Sequence, residues 1–258
     1  MKHKRFNLPG LAVFAALLLL WEVSSHSNPN LQSYFPPPSE VMSVLFRLAF
    51  ARELLGHLVD TLERFLGGYL LAAAIAVSLG VCLGYFRLAH SFFDLLIELL
   101  RPMPSVAIIP VAILLLGIGD AMMIGVTVYA CAWPILINTI DGVRSIDRTL
   151  IDTGRTFGLG RMRILREIAL PAAAPYIMTG LRVSLPIALI LVTTSEMVVG
   201  GSGLGYFILD EERSFRTKEM FAGIAVVALL GYALNRLFVA LENRMLAWHR
   251  GITAKGTP

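Results

Sequence analysis

Six stretches of this chain carry almost no charge: Leu8 to Val23, Phe65 to Phe86, Pro104 to Ile118, Ala121 to Ile140, Tyr176 to Val199 and Phe221 to Ala240. A helix rises about 1.5 Å per residue, so about 20 apolar residues cross a bilayer core of about 30 Å. Continuous apolar runs near this length predict membrane helices. The third run is short, and an apolar approach helix from Phe92 extends it. The first run has a second reading, because a basic start, a brief apolar stretch and small residues at Ser24 and Ser25 also describe a signal peptide. Its removal would leave the orientation of every later helix unchanged.

The polar intervals are equally informative. Pro36, Pro37 and Pro38 break the chain, and Ser39 is placed to N-cap a short helix with Val41, Val44, Leu45 and Leu48 on one face. That helix is expected along the outer membrane surface. Gly200 to Glu219 contains Gly-Gly-Ser-Gly-Leu-Gly, but no strand precedes it and no Lys-Ser/Thr pair follows. It reads as a flexible external turn, not a phosphate loop. Residues 141–175 are too many for a simple connection and read as two short helices within one inner loop. Asp147 N-caps the first, which carries Leu150, Ile151 and Phe157 and stops near Gly158 to Gly160. The second runs from Arg161 to Leu170, and Pro171 opens the approach to the fifth run. By pattern alone the pair is a lid on the bundle, or a surface on anionic lipid.

Composition narrows the class. Of 258 residues, 56% are hydrophobic and 16% charged, and the mean hydropathy is +0.71. Soluble domains run at about 45–50% apolar and about 25% charged. A soluble enzyme, a disulfide scaffold and a disordered chain are thereby excluded, and residues 1–258 read as a single membrane domain. The net charge of +4 does not call for nucleic acid. With the N-terminus inside, fourteen of the 22 Lys and Arg residues fall on inner segments and five on outer ones. This bias places both termini in the cytoplasm. Cys82 and Cys131 read as buried apolar fillers.

Arg182 and Glu196 share the fifth run, 14 residues apart, which puts them near its opposite ends on a similar face. Glu196, with Thr193, Thr194 and Ser195, is a candidate for the solute pathway or its outer gate, because intramembrane charge usually faces a pathway or a partner. Asn138, Thr127 and Tyr129 are expected to bond neighbouring helices, Gly80 with Gly84 to allow close helix packing, and His57 to be a lone loop histidine. Five scattered histidines and the lack of a Ser/His/Asp or Cys/His set argue against an enzyme and against a metal site. An ion-coupled carrier working alone would favour internal repeats and several intramembrane charges, and neither is evident.

One ordered set of motifs carries a family resemblance. Asp152-Thr153-Gly154, three residues, Gly158, nine residues, then Ile168-Ala169-Leu170-Pro171 resembles the Glu-Ala-Ala, x3, Gly, x9, Ile-x-Leu-Pro loop of ABC importer permeases. Matches elsewhere are Phe35 to Glu40, Arg101 to Ser105 with Gly117 to Gly119, Thr179 to Arg182, Ser195-Glu196 and Gly203 to Tyr206. Together they look like the nitrate, sulfonate and taurine branch. The resemblance implies an all-α polytopic bundle of about six transmembrane helices with the type I importer (MetI-like) fold, in a bacterial inner membrane. It implies that Leu150, Ile151, Asp152, Thr153, Gly154, Phe157, Gly158, Ile168, Leu170 and Pro171 dock a cytosolic ATP-binding subunit. It also implies a periplasmic or lipid-anchored solute-binding protein, a second permease copy and a small anionic solute. The chain has no Gly-x4-Gly-Lys-Ser/Thr segment, so no cofactor is expected on it, and ATP with Mg would sit on the partner ATPase.

Overall fold

A computed structural model describes residues 8–27, 33–49 and 52–248. The basic residues Lys2, Lys4, Arg5, Arg250 and Lys255, used above to orient the chain, lie outside the described residues. Among the described residues the chain is helical, with no strand. Helix α1 spans Leu8–Ser27, α2 Pro38–Ala49, α3 Arg52–Tyr85, α4 Arg87–Leu100, α5 Ile109–Leu116, α6 Asp120–Arg144 and α7 Arg148–Thr156. Helix α8 spans Arg161–Val199, α9 Leu204–Arg213 and α10 Thr217–Met245.

Among the described residues, five helices (α1, α3, α6, α8 and α10) are each long and apolar enough to cross a membrane, and a sixth span is found only if a bent pair counts as one. That pair is the third apolar run. Helix α4 and the segment Ser105–Leu116 meet at 93°, at the break that holds Pro102 and Pro104. The 12 residues from Ser105 to Leu116 reach at most about 24 Å even at the 3₁₀ rise, short of a bilayer core. Proline bends the chain here because it cannot donate to the turn before it.

Helix α6 is the centre of the bundle, with α3 along one side and α8 along another. Lipid tails are as apolar as leucine, so close backbone approach, not water exclusion, holds such helices together. Gly80 and Gly84 of α3 provide it: a Cβ on Gly80 would stand 2.6 Å from Thr139 Cβ, and one on Gly84 2.7 Å from Val143 Cβ. Gly180 of α8 lies equally close to the α6 backbone at Pro134 and Ile135. Phe65, Ala72, Cys131, Ile135, Ala188 and Val192 fill the core between them.

Helices α1 and α10 are peripheral. Most apolar side chains of α1 are exposed, and it joins the bundle near its C-terminal end, where the Trp21 ring packs on Phe35 and Phe221. Ser39 is not the N-cap of α2, because the helix already begins at Pro38. The cap comes from α1: Glu22 accepts from the Ser39 N–H at 3.0 Å and from its hydroxyl at 2.6 Å. Nor is α2 free on the surface, since Val41 and Val44 are buried against Ala222 of α10. Cys82 is exposed on the outside of α3, and only Cys131 is buried.

Candidate functional site

Two places on the bundle carry its polar chemistry, at opposite ends of α8. At the far end from the inner loop, Glu196 is completely buried. Its carboxylate accepts from Arg64 Nη1 at 3.0 Å, from Thr61 Oγ1 at 2.9 and 3.0 Å, and from the Gly205 N–H at 2.9 Å. Arg64 spreads its donors further, from Nε to Asp120 Oδ1 at 2.7 Å and from Nη1 and Nη2 to the Ser202 carbonyl and hydroxyl, each at 2.9 Å. Thr61 accepts from the Leu204 N–H at 2.8 Å, and His57 Nδ1 accepts from the Gly203 N–H at 3.0 Å. One polar knot therefore ties α3, α6, α8 and the start of α9.

The glycine segment is the mould of this knot, not a flexible turn. Gly203 sits at φ +103°, a region that L side chains avoid, and any Cβ there would overlap the Glu196 carboxylate. A Cβ on Gly205 would strike the Thr193 carbonyl. The chain can thus fold over Glu196 and present the Gly205 amide of α9 to it, where a helix N-terminus favours negative charge.

The neighbouring candidates are placed differently. Thr193 donates to the Leu189 carbonyl of its own helix at 2.8 Å, Thr194 is half-buried, and Ser195 is buried. Arg182, towards the other end of the span, lies 3.5 Å from Glu242 of α10. His57 is no loop histidine either, because α3 starts earlier than the hydropathy break and takes His57, Thr61 and Arg64 into a helix. Arg64 was the residue to notice: an ionisable group at the margin of a span needs a partner, and Glu196 is the buried carboxylate that supplies it. In α6, Tyr129 does bond a neighbour, the Leu100 carbonyl at 2.8 Å, whereas Thr127 and Asn138 bond back to Met123 and Pro134 of their own helix.

At the other end, α7 begins where Asp147 caps it, accepting from the Thr149 N–H at 2.8 Å. This bond holds the Asp147 carboxyl below its ordinary range. The helix ends at Gly158, whose φ of +76° turns the chain sharply back towards α8. Leu150 and Phe157 are 52% and 81% exposed, so two large apolar side chains project away from the bundle. Asp152, Thr153 and Pro171 are also exposed, with Asp152 3.1 Å from Arg155. Gly154, Ile168, Ile151 and Leu170 turn inward to differing degrees. Gly154 lies close enough to Ile168 that a Cβ would stand 2.7 Å from Ile168 Cδ1, which accounts for glycine at this helical position.

The second helix of the loop does not end before Pro171. A π-type turn over Leu165–Ala169, in which the Leu170 N–H bonds the Leu165 carbonyl, carries it straight into the fifth span. The wider turn accommodates the proline ring, so Pro171 lies within one continuous helix.

Residues 68–247, from the middle of α3 past the end of α10, match the family described as "Binding-protein-dependent transport system inner membrane component". The chain belongs to this family. The permease is 33% identical to a putative ABC transporter permease protein of Methanocaldococcus jannaschii, covering 95% of this chain and 92% of that one. It is 29% identical to a putative aliphatic sulfonates transport permease protein, SsuC, of Bacillus subtilis (95% and 90% covered). The taurine transport system permease protein TauC of Escherichia coli is 27% identical (93% and 89% covered). Its fold matches a chain of the MetNI methionine ABC transporter, solved in inward-facing conformations, with a TM-score of 0.66. The sequences are 18% identical there, with 76% of this chain and 97% of that chain covered. The permease is thus a multi-pass inner membrane component of an ABC importer with the MetI-like fold, as the motif set implied.

Proposed function

We propose that this permease forms the solute pathway of an ATP-driven importer for a small anion such as an alkanesulfonate, taurine or nitrate. ATP and Mg are held by a separate cytosolic subunit, and a periplasmic or lipid-anchored binding protein delivers the solute to a pair of permease copies. Both termini face the cytoplasm. The observation that carries the proposal is α7, a capped helix ending in a left-handed glycine, with Leu150 and Phe157 projecting from the bundle. An apolar pair at helical spacing beside an exposed acid is what a helix needs to seat in a groove. The relatives named for sulfonate and taurine transport support the anion class.

Glu196, with Thr193, Thr194 and Ser195, belongs to the outer gate in this reading. A carboxylate repels an anion, so it serves the gate by holding helices and not by binding solute. The test is reconstitution with the partner ATPase and binding protein. Gly158→Pro, which cannot adopt positive φ, should leave the protein inserted but uncouple ATP hydrolysis from uptake. Uptake by the lone chain, or unchanged transport by Gly158→Pro, overturns the proposal.

A further inference from the structure

Beneath α7 lies a cavity of about 830 Å³, lined in part by Ile151 and Asp152 of the docking set. Arg144, Arg148, Arg155 and Arg161 line it, against a single carboxylate among the described residues, Asp152. Asp152 is engaged by Arg155, and Arg144 lies 2.8 Å from His90 Nε2. Among the described residues, Arg148 and Arg161 make no ion pair. Their backbone setting is defined, since Arg148 opens α7 and the Arg161 carbonyl accepts from the Tyr85 hydroxyl at 3.2 Å.

The other wall of the cavity is apolar. Phe86 and Leu88 line it and are 50% and 79% exposed. They follow directly on the end of α3 at Tyr85, while Arg144 is the last residue of α6. The cavity therefore sits where two long spans leave the bilayer, with arginines on one side and greasy side chains on the other. A free anion has no use for the apolar wall. A phospholipid has use for both: its phosphodiester takes the forked N–H donors of guanidinium groups, and its glycerol and upper acyl carbons lie on Phe86 and Leu88. Basic pockets between spans on this side of a membrane bind acidic headgroups.

We propose that this cavity binds the headgroup of an anionic phospholipid, contacting Arg148 and Arg161 and seated directly against the base of the docking helix. The proposal needs the membrane setting but not the identity of the solute or the gate.

The test is native mass spectrometry of the full chain with dioleoyl phosphatidylglycerol and dioleoyl phosphatidylcholine at equal mole fraction, with inorganic phosphate in a third arm. Preferential retention of phosphatidylglycerol is expected. Arg148→Gln with Arg161→Gln should cut that preference by about thirtyfold, the scale of two basic contacts at an acidic membrane surface. Arg163→Gln with Arg166→Gln, on the same loop but not lining the cavity, should leave it within about twofold. Arg148→Lys with Arg161→Lys, which keeps the charge but not the fork, should lose less of it than the glutamine variant, which guards against misfolding of the latter. Equal retention of the two lipids overturns the proposal. So does an equal loss in both glutamine variants, or phosphate competing as well as the lipid.

Discussion

Arg64 and Glu196 stand 132 positions apart in the chain and 3.0 Å apart in space, with the carboxylate wholly sealed from solvent. The two do not depend on each other equally. Removing Arg64 leaves the Glu196 charge with only Thr61 and Gly205 as donors, whereas removing the Glu196 charge leaves Arg64 still bonded to Asp120 and Ser202. Arg64→Met should cost about 3–5 kcal/mol, the scale for breaking one side of a buried pair, and Glu196→Gln clearly less. Thermal unfolding in detergent reads the order, and the double variant should be less destabilised than the sum of the singles. Equal losses from the two single variants would falsify the asymmetry.

Gly203→Ala tests whether the glycine segment moulds the knot. The added methyl has neither the backbone region nor the space it needs, so the segment must lift from Glu196. A loss of about 2 kcal/mol or more is expected, from strain plus the broken bonds at Leu204 and Gly205. Gly201→Ala, where nothing lies within 4 Å, should stay within about 0.5 kcal/mol of wild type. Thermal unfolding of the two side by side checks this.

Gly154→Ala restores the residue common in the docking motif and should gain about 1 kcal/mol of helix propensity. The gain is set against Ile168, whose Cδ1 occupies the space. The single variant should therefore be nearly neutral, and Gly154→Ala with Ile168→Val, which clears that methyl, should protect the α7 amides most. Hydrogen exchange over residues 148–156 ranks the three proteins. A double variant no better protected than wild type counts against the packing account.

Asp147 makes α7 sensitive to acid. The bond from Thr149 lowers its carboxyl in the folded helix, so the cap is at full strength above the ordinary aspartate range and is lost as pH falls through the lowered folded value. Asp147→Ala should speed exchange of the α7 amides at neutral pH, with wild type and variant converging in acid. Comparing the two across pH, after correction for intrinsic exchange, decides it.

Charge-free runs located five of the helices well, because lipid demands uninterrupted apolar length and little else resembles it. They erred where helices continue beyond the apolar zone. Helix α3 starts at Arg52 and not at Phe65, and α8 at Arg161 and not at Tyr176, since hydropathy reports the bilayer and not the hydrogen-bond ladder. The geometry of α7 was legible because capping and turn signals are local: Asp147 and Gly158 act on their nearest neighbours. The knot was not legible. Thr61, Arg64, Asp120, Glu196 and Ser202 come from segments far apart in the chain, and only helix packing states which of them meet.

The continuity of α8 has a mechanical consequence. One helix, roughly 55 Å long at about 1.5 Å per residue, carries Ile168 of the docking motif near one end and Glu196 near the other. Pro175 and Pro186 lie inside this helix, yet it runs on without a break past its close crossing with α6 at Gly180. The loop and the Arg64–Glu196 pair are thus joined by a single piece of backbone, with no relay of side chains between them.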